Sequence, residues 1–337
     1  MAVIQCRRYY QSGKVNASVR TFFDRLRGIV GQAKPRDNPQ ARAGDPARAP
    51  MDAFPAQLWT SPNGQFPAID WMNVWDWLES VPEEAWHARV SALQATWLHE
   101  VARRCGPRYA LAEFPELFVV SRLDPNAAGK LAAMFQATRR RLAQKLPGMV
   151  SDEGYGKDVC LVLAESSLYY RYLATGDDGN DLAPSESVYL DDGCPQIVLR
   201  GTSDIAIGPL LVHETARAAL AEPELPAWLS VGIALVMEED VCGRLGAEHL
   251  GGFDFVAYFD RHGLDVFLDG AGFEFGGDAV TASYQLAYRL VRYLWTSDAF
   301  PAFVASAAAM PDTEAAEQHY GRSLEALCGQ VCRPDAD

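Results

Sequence analysis

The chain has 337 residues, 49% of them hydrophobic and 11% aromatic, with a formal net charge of −14. That composition excludes a disordered or low-complexity protein and leaves enough chain to bury one large core or two smaller ones. The charge is uneven: residues 1–50 hold ten Lys/Arg against three Asp, a net of +7, which leaves −21 for residues 51–337. An acidic body argues against nucleic acid as a partner of the main domain, because phosphate contacts need a basic face.

The N-terminus, MAVIQCRRYYQSGK, lacks the apolar run of a signal peptide, and no stretch of about 18 apolar residues offers a membrane span. The seven cysteines (6, 105, 160, 194, 242, 328 and 332) form no short-spaced framework, so the expectation is a cytoplasmic protein with buried or incidental thiols. Residues 17–30 set Phe22, Phe23, Leu26, Ile29 and Val30 along one side of a helix, with Arg20, Arg25 and Arg27 between them. Residues 32–50 are rich in Pro, Ala and Arg without apolar periodicity, which is linker chemistry. Residues 1–55 are therefore read as a basic arm and linker, and 56–337 as the folded part.

Within that part, 56–113 is a helical lead-in. Pro82 and Glu83 open a helix to about Arg104, which Gly106-Pro107 stops. Trp71, Trp75 and Trp77 read as packing residues. FPELFVVSRLD (114–124) predicts a strand; Asp124 then caps a helix with Pro125 at its first position, running to about Leu146. KDVCLVLAES (157–166) predicts a strand, SLYYRYLAT a short helix, and ESVYL and PQIVLRG two more strands. From about Ile205 the pattern is almost wholly helical. The order gives a mixed strand and helix part (114–205), then a helical part (206–337), an α+β class.

The chemistry-bearing stretch is LVHETARAALAEPELPAWLSVG, Leu211–Gly232. In H-E-x-x-H the two histidines stand one helical turn apart, so both imidazoles reach one zinc, and the intervening glutamate takes a proton from the metal-bound water. Here His213 and Glu214 are present, but the second-ligand position is Arg217, a permanent cation with no lone pair. His99–Arg103 repeats H-E-x-A-R without a comparable partner helix and reads as coincidence. Downstream of Arg217, Pro226 starts a second helix whose residues Ala227–Met237 carry no charge, the mark of a buried helix. Gly232 inside it predicts a close approach by another element, since a mid-helix glycine costs about 1 kcal/mol relative to alanine.

This helix pair resembles the gluzincin-type, peptidase-MA-like bacterial metallopeptidases. Their H-E-x-x-H helix is followed by a short turn and a helix beginning L-P-x-W-L-x-E-G-x-A. Leu225, Pro226, Trp228, Leu229, Gly232 and Ala234 match that pattern, while the glutamate that supplies the third zinc ligand is Val231. SYQLAYRLVRYL (283–294) is similar to a later Tyr-rich helix of the family. The resemblance spans roughly residues 110–300, with its specific core at 211–234. It implies a zincin-like domain: a small mixed sheet, an active-site helix pair and a helical C-terminal part. His213 becomes a vestigial ligand and Glu214 a vestigial general base, with Arg217 and Val231 at lost ligand positions. No cofactor is expected, and the activity is expected to be lost. A remnant cleft, with Trp228 and Tyr284 as candidate lining and QIVLRG (196–201) as a strand edge, would hold a peptide or protein partner without cutting it. Arg217 is expected to take over the metal's space and pair with Glu214. The alternative is an active zinc metallopeptidase using substitutes from Glu238, Glu239, Cys242 or His249. Glu238 and Glu239 lie roughly 10–12 Å beyond Val231 along the helix and read, with Asp240, as a solvated helix end.

Overall fold

The computed structural model describes residues 53–60, 65–150, 154–174, 185–191, 193–221, 223–243, 253–274 and 277–332. Nearly all of the basic arm and linker, the amphipathic stretch 17–30 and His249 lie outside the described residues. The chain divides into two compact units, one built around Glu153–Ile207 with the chain up to Ala132, the other from Ala133–Asp152 and the chain from Gly208 onward. Residues 133–152 thus belong with the unit that holds the chain from Gly208 onward.

The first unit is organised by a five-stranded mixed sheet. Its strands are β3 (Ala110–Glu113), β4 (Leu117–Ser121), β5 (Asp158–Leu163), β6 (Ser187–Asp191) and β7 (Pro195–Arg200), in the order β3-β4-β5-β7-β6. β4, β5 and β7 run parallel; β3 and β6 are antiparallel at the two edges. All five residues of β4 and the last five of β5 are buried, as continuous apolar parallel strands require when both faces are covered. QIVLRG therefore does not form an edge. It pairs with β5 on one side and β6 on the other, and the terminal strand is SVYLD. Gly193, in the turn between β6 and β7, has φ +74°, and a Cβ there would lie 2.4 Å from the Trp71 ring.

A two-residue ladder, β1 (Trp59–Thr60) with β2 (Ala68–Ile69), precedes helix α1 (Trp71–Leu78) and the long helix α2 (Trp86–Cys105). Trp71, Trp75 and Trp77 are partly buried against this unit's core, the packing role expected of them. Helix α3 (Pro125–Lys145) starts where predicted: the Asp124 carboxylate accepts from the N–H groups of Asn126 (2.9 Å) and Ala127 (3.0 Å). Helix α4 (Ser166–Leu173) follows β5.

The second unit is helical: α5 (Asp204–Ala219, entering it from Gly208), α6 (Ala227–Cys242), α7 (Phe255–His262), α8 (Asp265–Leu268), α9 (Asp278–Trp295), α10 (Phe300–Ala307), α11 (Asp312–Tyr320) and α12 (Leu324–Cys332). Helix α6 is apolar on all sides, with every residue from Trp228 to Glu238 buried except Ser230. Gly243, at φ +69°, closes it by donating its N–H to the Glu239 carbonyl. Among the described residues no helix is long and apolar enough to cross a membrane.

Candidate functional site

Helix α9 meets α6 at Gly232. A Cβ on Gly232 would lie 2.4 Å from Val291 Cγ2 and 2.6 Å from the Ala287 carbonyl oxygen, so the glycine marks the close approach that the sequence predicts. Tyr284 sits one turn before Ala287 on the same helix face. Its ring lies parallel to that of His213, 5° between planes and 6.3 Å between centroids.

His213 itself is buried, and its Nδ1 lies 2.7 Å from Glu238 Oε1. Glu238 is 4% exposed, so it is not part of a solvated helix end. Seven residues, about two turns, separate it from Val231, which returns it to nearly the same side of α6. Distance along α6 from Val231 hides the contact, because His213 meets the helix at Glu238. Val231 is buried in the apolar core. A carboxylate can only accept, so the His213 Nδ1–H donates, and in the neutral ring Nε2 keeps its lone pair.

Glu214 is buried beside His213 on α5, and Arg217, one turn on, is half-buried. The same phenol feels all three charged groups. Burial pushes the Tyr284 hydroxyl above its ordinary range; the Arg217 cation opposes this, and the carboxylates of Glu214 and Glu238 add to it. His213, Glu214 and Glu238 are buried and Arg217 and Tyr284 partly buried, which makes a polar cluster within the helical unit. The Arg217 charge acts on the Tyr284 phenol, and no ion pair between Arg217 and Glu214 forms among the described residues.

The copy at His99–Arg103 is a different kind of feature. Glu100 there takes Arg103 at 2.5 Å and Arg104 at 2.8 Å, and these guanidinium partners hold its carboxyl down at about 2. Arg103 is exposed, and the sequence pattern makes a surface ion cluster.

The donor set does not fit zinc. His213 offers Nε2, the next ligand position is a guanidinium, the third is a buried valine, and Glu238 Oε1 is already taken by His213 Nδ1. Of the substitutes, Glu239 is tied to Arg292 at 3.2 Å, as is its neighbour Asp240 at 3.6 Å. Cys242 lies level with Gly208, whose added Cβ would be 4.0 Å from its sulfur, five residues before His213. Among the described residues no group of three or more His, Cys, Asp or Glu side chains is placed to hold a metal ion.

Trp228 is not a cleft residue. It is 1% exposed, packed near Phe267 and Phe303, and its indole N–H donates to Asp312 Oδ2 at 2.7 Å. The tryptophan anchors the start of α6 to the start of α11. Trp228→Phe is expected to lower stability by about 1–2 kcal/mol, from the lost charge-assisted bond and a small void, in urea unfolding followed by circular dichroism. No change would mean that the indole–carboxylate bond adds nothing. Tyr288, one turn after Tyr284, also bonds near the end of α6: burial first, then its bond with Glu239, lifts its phenol to about 12.

No family model, no curated protein and no solved structure matches the chain.

Proposed function

We propose that this is a metallopeptidase-like protein that has lost catalysis and binds a peptide or protein partner. The observation that supports the reading best is the content of the buried cluster. Where a peptidase of this type needs a second imidazole, this chain carries Arg217, half-buried and near enough to the Tyr284 phenol for its charge to act there. A fixed monovalent cation balances buried carboxylates, but it cannot polarise a carbonyl or acidify a water as zinc does. Glu214 then has no activated water to deprotonate. The partner-binding half of the proposal rests on the resemblance: a peptidase cleft that no longer cuts can still hold an extended peptide.

A second reading, an active zinc peptidase with substitute ligands, has one observation in its favour. A carboxylate bonded to Nδ1 is how proteins orient a histidine whose Nε2 binds a metal.

The test incubates the full chain with zinc and unfolded casein, then reads the casein by mass spectrometry. The expected result is intact casein, with Glu214→Gln indistinguishable from the natural sequence. Cleavage that Glu214→Gln abolishes would overturn the proposal. The double variant Arg217→His with Val231→Glu is expected to gain zinc binding that neither single change confers. Failure of the double variant would count against the helix-pair alignment.

A further inference from the structure

The parallel strands β4, β5 and β7 end together, at Ser121, Leu163 and Arg200. The residues that follow them line one cleft of about 420 Å³: Arg122 and Leu123 after β4, Ala164 after β5, Gly201 and Thr202 after β7, with Val162 below and Arg108 from the approach to β3. Because the three strands run parallel, the segments leaving them converge at one end of the sheet and bring side chains from several elements around one cleft. This cleft lies wholly in the sheet unit and contains none of the cluster around His213.

Its charged lining consists of two guanidinium groups, although the chain from 51 onward is strongly acidic. One of them is held in place. Arg122 lies over the Tyr109 ring at 5.6 Å, and its Nη1 donates to Glu165 Oε1 at 2.5 Å. The Tyr109 hydroxyl donates to Glu165 Oε2 at 3.0 Å and accepts from the Ala164 N–H at 3.0 Å, which ties the set to the end of β5. Those contacts fix the plane of the Arg122 guanidinium and occupy Nη1, leaving its other N–H groups. Arg108 is exposed, next to Tyr109 in the chain, and no ion pair of it is recorded among the described residues. The Thr202 hydroxyl adds a neutral donor, and Leu123 and Val162 give an apolar wall.

We infer that this cleft binds the oxyanion of a small molecule, a carboxylate or a phosphate, between Arg108 and Arg122, with a short apolar portion against Leu123 and Val162. Two guanidinium groups, one of them pre-oriented, suit a planar or tetrahedral oxyanion better than two lysines would. Glu165 is the internal anion that holds Arg122 until the ligand shares it. The inference does not depend on the proposed loss of peptidase activity.

The experiment is isothermal titration of the full chain with succinate and, separately, with inorganic phosphate. Saturable binding of at least one is expected. Succinate alone would assign a carboxylate ligand and phosphate alone a phosphoryl one. Arg108→Ala should weaken binding about tenfold or more while leaving the fold intact, because its side chain is exposed. Arg122→Lys should weaken it although the charge is kept, since lysine cannot present a fork. Glu165→Gln should tighten it by removing the competing charge. Absence of saturable binding to either anion, or binding that Arg108→Ala leaves unchanged, would overturn the assignment.

Discussion

His213→Ala is expected to lower the unfolding free energy by about 3 kcal/mol, more than a typical substitution, even though the residue is one small ring. The reason is what it leaves behind. Glu238 is 4% exposed, and its Oε1 takes the His213 Nδ1–H at 2.7 Å. Without the imidazole, a buried carboxylate loses a charge-assisted donor that water cannot readily replace. Glu238→Gln should cost less, about 1 kcal/mol, because the amide oxygen still accepts from Nδ1. The paired change His213→Leu with Glu238→Leu should recover much of the loss, since it removes the buried carboxylate together with its donor. Equilibrium urea unfolding of the four proteins decides this. A cost below about 0.5 kcal/mol for His213→Ala would mean that the pair is not a structural element of the cluster.

Gly232→Ala is expected to destabilise by about 2–3 kcal/mol, against the usual sign. Glycine to alanine inside a helix ordinarily gains about 1 kcal/mol. At Gly232 the new Cβ would sit 2.6 Å from a backbone carbonyl oxygen of α9 and 2.4 Å from Val291 Cγ2. The carbonyl belongs to a helix and cannot swing away, so α6 and α9 must separate and loosen the core around them. The contact also sets the height of Tyr284 on α9 relative to His213, so the variant should disturb the cluster as well as the packing. Gly129→Ala on α3 is the control: nothing lies within 4 Å of its Cβ, and a gain of up to about 1 kcal/mol is expected. If both alanines stabilise the protein, the α6–α9 contact is looser than described.

Much of the architecture was legible because each cue was local. Asp124-Pro125 carries its own cap chemistry, the parallel strands announce themselves as continuous apolar runs, and Gly106 and Gly243 close helices in the backbone conformations that glycine allows. The charge-free run Ala227–Met237 and its glycine also foretold a buried helix with a close neighbour. Strand order was not legible. PQIVLR and SVYLD are both apolar enough to be interior, and which of them ends the sheet depends on pairing partners far away in sequence. The β1–β2 ladder was missed because two-residue strands carry no periodicity.

The candidate site was half visible. His213, Glu214, Arg217 and Tyr284 were found by spacing or resemblance, and Glu238 was passed over because a run of three acids at a helix end is usually solvated. Its recurrence seven residues after Val231 was the available signal. Trp228 was misplaced for a related reason: pattern alone cannot tell an aromatic that lines a groove from one that fills a core, and here the Asp312 carboxylate makes full burial of the indole N–H affordable.

The central claim is that the cluster around His213 is balanced by Arg217 and no longer holds zinc. The most direct test is elemental analysis of untagged protein purified in zinc and then dialysed. The account predicts a zinc content near zero, unchanged in His213→Ala. About one zinc per chain, lost in His213→Ala, would contradict it and restore the peptidase reading.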